Sequence, residues 1–142
     1  MANTSNQDIF QILSENKTIC VIGFSADGDK PAHRIPVYMQ SAGYRIVGVN
    51  PSLVEKGQTS VGGIPIYSRL ADVPLADRQF VNVFRRSDAI PDIVNEVLQV
   101  GDVKILWLQL GITNPEAEAR AAAAGISVVS DRCLAIEHKR LL

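Results

Sequence analysis

CVIGFSADGDKPAHR, residues 20–34, joins an apolar run to a glycine turn and then to the start of a helix. The apolar run predicts a buried strand, Gly23 stands where the backbone must turn tightly, and Pro31 is typical of a first helical turn. A strand that leads directly into a helix is the first half of a βαβ unit. The stretch therefore begins like a dinucleotide-binding turn, but Ser25 replaces the second glycine of that fingerprint.

The rest of the chain repeats this alternation of apolar and amphipathic segments. Five short runs are rich in β-branched residues and nearly continuous in apolar content: TICVIG (18–23), YRIVGVN (44–50), QFVNVF (79–84), VKILWLQLG (103–111) and ISVVSD (126–131). Strands of this kind are typical of parallel sheets covered on both faces. GIPIYS (63–68) predicts a short extra strand, which Pro65 assigns to a sheet edge or to the start of a strand.

The clearest helix signal is SDAIPDIVNEVLQVG, residues 87–101, whose apolar residues recur on one helical face. Ser87 with Asp88 is predicted to cap its start, and Gly101 to end it in a left-handed turn. In residues 113–127, Asn114 is the predicted cap of a second helix.

Further helices are expected near Pro31, near residues 9–13 and after Cys133. Strands separated by helices imply right-handed crossovers. The sequence thus predicts an α/β fold with a Rossmann-like, doubly wound, mostly parallel sheet, helices on both faces, and a single domain over residues 1–142.

Composition narrows the class of protein. The 142 residues are 46% hydrophobic with a net charge of −1, which is typical of one soluble domain and offers no broad basic field for nucleic acid. No apolar run approaches the roughly 18–20 residues that span a bilayer, and MANTSNQD has no signal-peptide pattern, so we expect a cytoplasmic protein without a membrane partner. Two cysteines without CxxC spacing argue against a zinc site.

In such sheets, ligands bind beyond the carboxyl ends of the strands. The predicted loops at these ends carry a set of basic side chains: Lys30, His33, Arg34, Lys56, Arg85 and Arg86. Each alone has an ordinary alternative as a solvated loop residue, and His33 as a helix-capping or packing residue. Together they favour a polyanionic ligand.

Two common nucleotide sites are disfavoured. The second strand ends in Asn50 and Pro51, where an NAD-binding protein needs an acidic residue for the ribose. The chain has no Gly-Lys-Ser or Gly-Lys-Thr tripeptide, which excludes a Walker loop.

Five motifs in order, VIGFSADGDKPAHRI, VNP, FRRSDAIPDIV, WLQLGI and DRCL, resemble the CoA-binding domain family of small Rossmann-like proteins. The chain is also similar, more distantly, to the CoA-binding domain of the succinyl-CoA synthetase alpha subunit. The resemblance implies coenzyme A, or an acyl-CoA, as the ligand. It implies phosphate contacts from Gly23, Ser25, Lys30, His33, Arg34 and Lys56, an adenosine border at Asn50 and Pro51, a second wall of Phe84, Arg85, Arg86 and Ser87, and a pantetheine path beside Gln109 and Gly111.

Cys133 is a candidate reactive thiol, since it follows a strand end and has Arg132 beside it; the alternative is a structural cysteine. No nucleophile with a placed base is recognisable, which favours a non-catalytic binding module. The alternatives are a small NAD(P)-dependent enzyme, a CoA-thiol-dependent enzyme that uses Cys133, and an interaction subunit without a ligand. A protein partner or a homo-oligomer is left open.

Overall fold

The computed structural model describes residues 4–142. Within them, seven strands form one sheet in the order β3-β4-β2-β1-β5-β6-β7. The strands are β1 (Thr18–Ile22), β2 (Arg45–Val49), β3 (Ser60–Val61), β4 (Ile64–Tyr67), β5 (Phe80–Val83), β6 (Ile105–Leu108) and β7 (Ser127–Val129). The helices are α1 (Asn6–Glu15), α2 (Pro31–Ser41), α3 (Pro51–Glu55), α4 (Ile90–Val100), α5 (Pro115–Ala123) and α6 (Leu134–Leu141).

All neighbouring strands are parallel except β3 and β4, which form an antiparallel hairpin. From β1 the chain first builds outward through β2 to β4, and then returns to place β5 on the other side of β1. Ile22 at the end of β1 therefore lies opposite Val49 on one side and Val83 on the other. The order of the strands reverses between β1 and β5, which is the topological switch point of a doubly wound sheet.

Helices cover both faces of the sheet. Ile9 of α1, Met39 of α2 and Leu134 of α6 pack with Trp107 in one buried cluster. Helices α4 and α5 contribute to a second cluster on the opposite face. Burial on both faces explains why the strands are nearly continuous in apolar residues, as the sequence predicts.

The cap predicted for the helix in residues 87–101 is wrong. Residues Ser87–Ala89 form a separate 3-10 turn, and α4 begins only at Ile90. The hydroxyl of Ser87 instead accepts a hydrogen bond from the backbone N–H of Thr113 at 3.1 Å. The other helix signals are confirmed, since Gly101 ends α4 with a positive φ of 72° and the Asn114 side chain caps α5.

The extra strand predicted at residues 63–68 is present as β4. It is not the edge of the sheet, but Pro65 is its second residue and so lies near the start of the strand, the other position predicted for it. The turn through Gly62 and Gly63 folds β3 back on β4, so that Ser60 lies opposite Pro65. The edge strand on this side is therefore β3, and Pro65 belongs to its neighbour β4.

Candidate functional site

The loops after β1 and β5 meet at the switch point. Gly23 N donates to Val49 O at 3.0 Å, and Phe84 N donates to Ile22 O at 2.9 Å, so both loops leave the sheet at the same level. Gly23 has a φ of 87°, a conformation that residues with a side chain rarely adopt. The tight turn predicted at Gly23 is therefore present, and it directs the following loop toward α2.

Local hydrogen bonds shape the loop between β1 and α2. The Ser25 hydroxyl accepts from Asp27 N, and the Asp27 carboxylate accepts from Asp29 N, each at 3.0 Å. Ser25 N also donates to the carbonyl of Ala32 at 3.2 Å. That carbonyl is free because Pro36, four residues later in α2, has no N–H to give it. The loop is thus bonded to the helix that follows it.

His33 and Arg34 support the same loop. The His33 ring nitrogen Nδ1 lies 2.7 Å from the carbonyl oxygen of Ser25, and its ring packs against Phe24 at 5.6 Å between centroids. The guanidinium of Arg34 donates to the carbonyl of Asp29. His33 is therefore accounted for by packing and loop support, as its ordinary alternative predicts.

Asn50 joins two elements. Its amide nitrogen donates to Phe24 O at 2.8 Å, and its side-chain oxygen accepts from Leu53 N at 3.1 Å, which caps α3. Asn50 and Pro51 line a cavity of about 590 Å³ together with Gly23 and Arg85, which we call the strand-two cavity. Glu55 and Glu96 line it as well, so its charges are mixed.

A larger cavity of about 760 Å³, the central cavity, lies between α2, α6 and the loops after β5 and β6. Its polar and glycine lining includes Lys30, Arg34, Arg85, Arg86, Ser87, Gln109 and Gly111. Its apolar lining includes Ile35, Phe84, Leu110, Ile112 and Ile136. Arg85 lines both cavities and so joins them at the switch point.

The structure separates the predicted site residues into two groups. Eleven line one of the two cavities: Gly23, Lys30, Arg34, Asn50, Pro51, Phe84, Arg85, Arg86, Ser87, Gln109 and Gly111. Ser25, His33 and Lys56 line neither. Lys56 is exposed at the end of α3, and the other two hold the loop before α2.

Most of the Arg86 side chain is exposed. Arg86 lies 3.5 Å from Asp88, but the two side chains are 88% and 73% exposed, and exposed pairs of this kind contribute little stability. Ser87 ties this segment to the loop after β6 through its bond from Thr113 N. An anion in the central cavity can therefore recruit Arg86 at small cost.

Buried amides fix the floor of the central cavity. Asn82, fully buried in β5, donates from Nδ2 to Trp107 O at 3.2 Å and lies 3.5 Å from Gln109 Oε1. Leu134 N lies 3.5 Å from the same Gln109 oxygen. Gln109 is thus positioned by neighbours in β5 and α6.

Cys133, which follows the edge strand β7, also lines the central cavity and is 6% exposed. The guanidinium of its chain neighbour Arg132 lies 3.3 Å from the carboxylate of Glu137 in α6. By contrast, Cys20 is fully buried in β1, where burial and then the charges of Asp77 and Glu96 raise its pKa to about 12.

Comparison with known proteins decides the family. The model of the CoA binding domain family matches residues 17–139, and these residues contain all of the loops described above. This chain belongs to the CoA-binding domain family.

The relatives of this CoA-binding domain protein match it over nearly its whole length. The uncharacterized protein YneT of Bacillus subtilis (strain 168) is 35% identical over 138 residues, which is 97% of each chain. The solved structure of cell-free ID.343 from Thermus thermophilus superposes with a TM-score of 0.87 at 38% identity, over 98% of this chain and 100% of the other. A hypothetical protein from Pyrococcus horikoshii OT3 has a TM-score of 0.84 at 28% identity, over 99% of both chains.

The central cavity fits the chemistry of coenzyme A. That cofactor carries phosphates at one end and a long uncharged arm with a thiol at the other. Lys30, Arg34, Arg85 and Arg86 supply cations, while isoleucine and leucine side chains supply an apolar surface for an uncharged arm.

Sequence reasoning missed that apolar surface. Leu110 and Ile136 are 59% and 53% exposed, which is unusual for large apolar side chains, and both line the central cavity with Ile35 and Ile112. Ile136 lies within α6, and nothing in its sequence position distinguishes it from other residues of that helix. Leu110 was visible within the motif WLQLGI, but only the tertiary structure brings it to Ile136.

A metal site and a membrane-spanning helix each place requirements on the described residues. Residues 4–142 contain no group of three or more His, Cys, Asp or Glu side chains that could hold a metal ion. None of the helices in that part of the chain is both long and apolar enough to span a membrane.

Proposed function

We propose that this protein binds coenzyme A or an acyl-CoA in the central cavity, at the carboxyl ends of its parallel strands, and acts as a non-catalytic binding module. The observation that carries the proposal is the combination of cationic and apolar side chains in the lining of that cavity, in a member of the CoA-binding domain family. Four cations line it, Lys30 and Arg34 from the start of α2 and Arg85 and Arg86 from the loop after β5, and apolar side chains line it beside them.

The phosphates of the ligand lie among the four cations in this proposal. Lys30 is the N-cap residue of α2, and its side chain makes no capping hydrogen bond among the residues that the structure describes. The positive end of the helix dipole adds to the charge of the side chains there. The uncharged arm then runs past Gln109 and Gly111 toward Leu110, Ile136 and Cys133.

Nicotinamide cofactors are the less suitable ligands. Both polar groups of the Asn50 side chain are already bonded, to Phe24 O and to Leu53 N, so the amide is committed to the protein. No carboxylate follows β2 directly, where a dinucleotide site reads the ribose.

Isothermal titration calorimetry of the full chain with CoA, NAD and NADP tests the proposal. We expect CoA to bind more tightly than either dinucleotide. Binding of NAD or NADP with equal or higher affinity would contradict it. Native mass spectrometry of the protein as purified gives an independent answer, because CoA and NADP differ in mass.

A second candidate function is thiol chemistry with CoA, and one observation favours it. Cys133 lines the central cavity and follows β7, which lies two strands beyond β5 and three beyond β1, the strands whose loops carry the cations. The thiol of a bound CoA would lie on this side in the proposal. Mapping of Cys133 adducts, described in the Discussion, distinguishes the two functions.

A further inference from the structure

A third cavity adjoins the central cavity beside Cys133. It lies between the first turns of α5 and α6, has a volume of about 500 Å³, and is called here the terminal-helix cavity. Leu110, Cys133 and Ile136 line both this cavity and the central cavity. A group attached to a sulfur atom beside Cys133 would therefore have this space in front of it.

We propose that the terminal-helix cavity receives the acyl group of a bound acyl-CoA, and that it favours a short uncharged acyl group over one that ends in a carboxylate. The inference rests on the proposed function, which directs the phosphates to Lys30, Arg34, Arg85 and Arg86 and so directs the sulfur to the opposite end. The argument for the selectivity comes from the charges of the terminal-helix cavity.

Three carboxylates and one guanidinium line that cavity: Glu118, Asp131, Glu137 and Arg132. Glu137 is neutralised by its own neighbours, since its Oε1 atom is 3.3 Å from Arg132 and 2.6 Å from Arg140. Arg132 and Arg140 thus share one carboxylate, and these three groups together carry a net charge of +1. That charge is smaller than the −2 of the other two carboxylates of the lining.

Glu118 and Asp131 remain without an ion-pair partner in residues 4–142. Glu118 is only 4% exposed and accepts a hydrogen bond from Asn114 N at 2.8 Å, and Asp131 accepts one from Gly111 N at 2.7 Å. Both line the terminal-helix cavity and not the central one. A carboxylate on the acyl group would meet two like charges there.

At the nearby start of α5, most of the groups that could bind an anion are already used. The Asn114 side chain already accepts from Ala117 N at 3.1 Å, Pro115 has no N–H, and Glu118 occupies Asn114 N. The positive end of this helix dipole therefore already faces a carboxylate of the protein. By contrast, the apolar walls at Leu110 and Ile136 suit the methylene groups next to a thioester.

Calorimetry with CoA, butyryl-CoA and succinyl-CoA tests the inference, because the two acyl groups have the same four-carbon length and differ in the terminal carboxylate. We expect butyryl-CoA to bind no more weakly than CoA, and succinyl-CoA to bind about tenfold more weakly than butyryl-CoA, as partly screened like charges predict. Equal or tighter binding of succinyl-CoA would overturn the inference alone. Weaker binding of butyryl-CoA than of CoA would also overturn it, and failure of CoA itself to bind would overturn the proposed function with it.

Isosteric variants test the assigned charges. Glu118→Gln and Asp131→Asn keep an oxygen that can accept the backbone hydrogen bond, and each is expected to reduce the discrimination against succinyl-CoA to about threefold. Glu116→Gln is the matched control, since Glu116 belongs to the same first turn of α5 but is exposed and does not line the cavity. Unchanged discrimination in both cavity variants would contradict the assignment.

Discussion

A Cβ atom on Gly23 would lie 2.8 Å from the carbonyl oxygen of Phe84 and 3.2 Å from Cδ of Arg85. The loop after β1 therefore lies directly against the loop after β5, and the contact between them is made by backbone. This contact sets the position of Arg85, which lines both the central and the strand-two cavity. The glycine is needed first for the approach of the two loops, whatever it also offers to a phosphate.

Gly23→Ala is expected to destabilise the protein more than Gly43→Ala. Both glycines have positive φ values, 87° and 102°, so both variants carry the cost of a left-handed conformation, about 1–2 kcal/mol. A Cβ at Gly43 meets open space, whereas one at Gly23 meets Phe84 O, which adds about 1–3 kcal/mol of overpacking. Urea unfolding measures the difference, and equal losses in the two variants would contradict the contact.

Arg86→Ala is expected to weaken CoA binding by about 1.5–3 kcal/mol, the range for hydrogen bonds to charged groups, which is at least about tenfold in Kd. Lys56→Ala is the matched control, because Lys56 is exposed and lines neither cavity. Calorimetry should show little change for the control. An affinity that depends on Lys56 and not on Arg86 would show that the phosphates bind elsewhere.

CoA disulfide is expected to modify Cys133 and to leave Cys20 free. The Cys133 thiolate attacks one sulfur of the CoA disulfide, the bond between the two CoA sulfurs breaks, and the departing CoA thiolate takes up a proton. Cys20 is fully buried and its pKa is raised to about 12, so it has neither access nor thiolate character.

Digestion without reductant, followed by mass spectrometry, locates the adduct, with Cys133→Ser as the control. If CoA binds but Cys133 carries no adduct, the cysteine is structural and the protein is a reversible binder.

Stability is expected to fall below about pH 6.5 through His138. Burial first, and the charge of Lys17 second, lower the pKa of His138 from its ordinary value of 6.5, and its Nδ1 lies 2.8 Å from the Tyr38 hydroxyl. As the pH falls through 6.5, the unfolded chain binds the proton before the folded protein does, so the free energy of unfolding decreases. Urea unfolding at pH 7.5 and 5.5 should show a smaller decrease for His138→Gln, and an equal decrease would exclude this residue.

The sequence predicted the sheet well because strands covered on both faces carry their signal locally. Each of the five main apolar runs contains a parallel strand, and Asn114 and Gly101 mark helix ends as expected. The predicted helix cap at Ser87 was wrong because the Ser87 hydroxyl accepts a hydrogen bond from Thr113 N, twenty-six residues away. No local sequence pattern contains such a partner. The hairpin partner of β4 was missed since β3 has only two residues.

The sequence could predict which basic residues lie at the candidate site. It could not predict which of them line a cavity and which support the loop before α2. Basic residues at strand ends converge on any doubly wound sheet, so Lys30, Arg85 and Arg86 could be assigned to one edge from topology. That His33 supports the Ser25 carbonyl depends on the folded path of the loop. For the bond between the loop and α2, Pro36 was the available signal, since a proline inside a helix frees the carbonyl four residues earlier, here that of Ala32, for another donor.

Trp107 makes the molecule its own spectroscopic reporter. It is the one tryptophan of the chain, it is fully buried, and its indole N–H donates to the carbonyl of Arg132 at 2.8 Å. The next residue is Cys133, in the wall that the central and terminal-helix cavities share. A ligand that moves Arg132 or Cys133 changes the polarity and hydrogen bonding around the indole of Trp107. Tryptophan fluorescence can therefore follow ligand binding in real time without an added label.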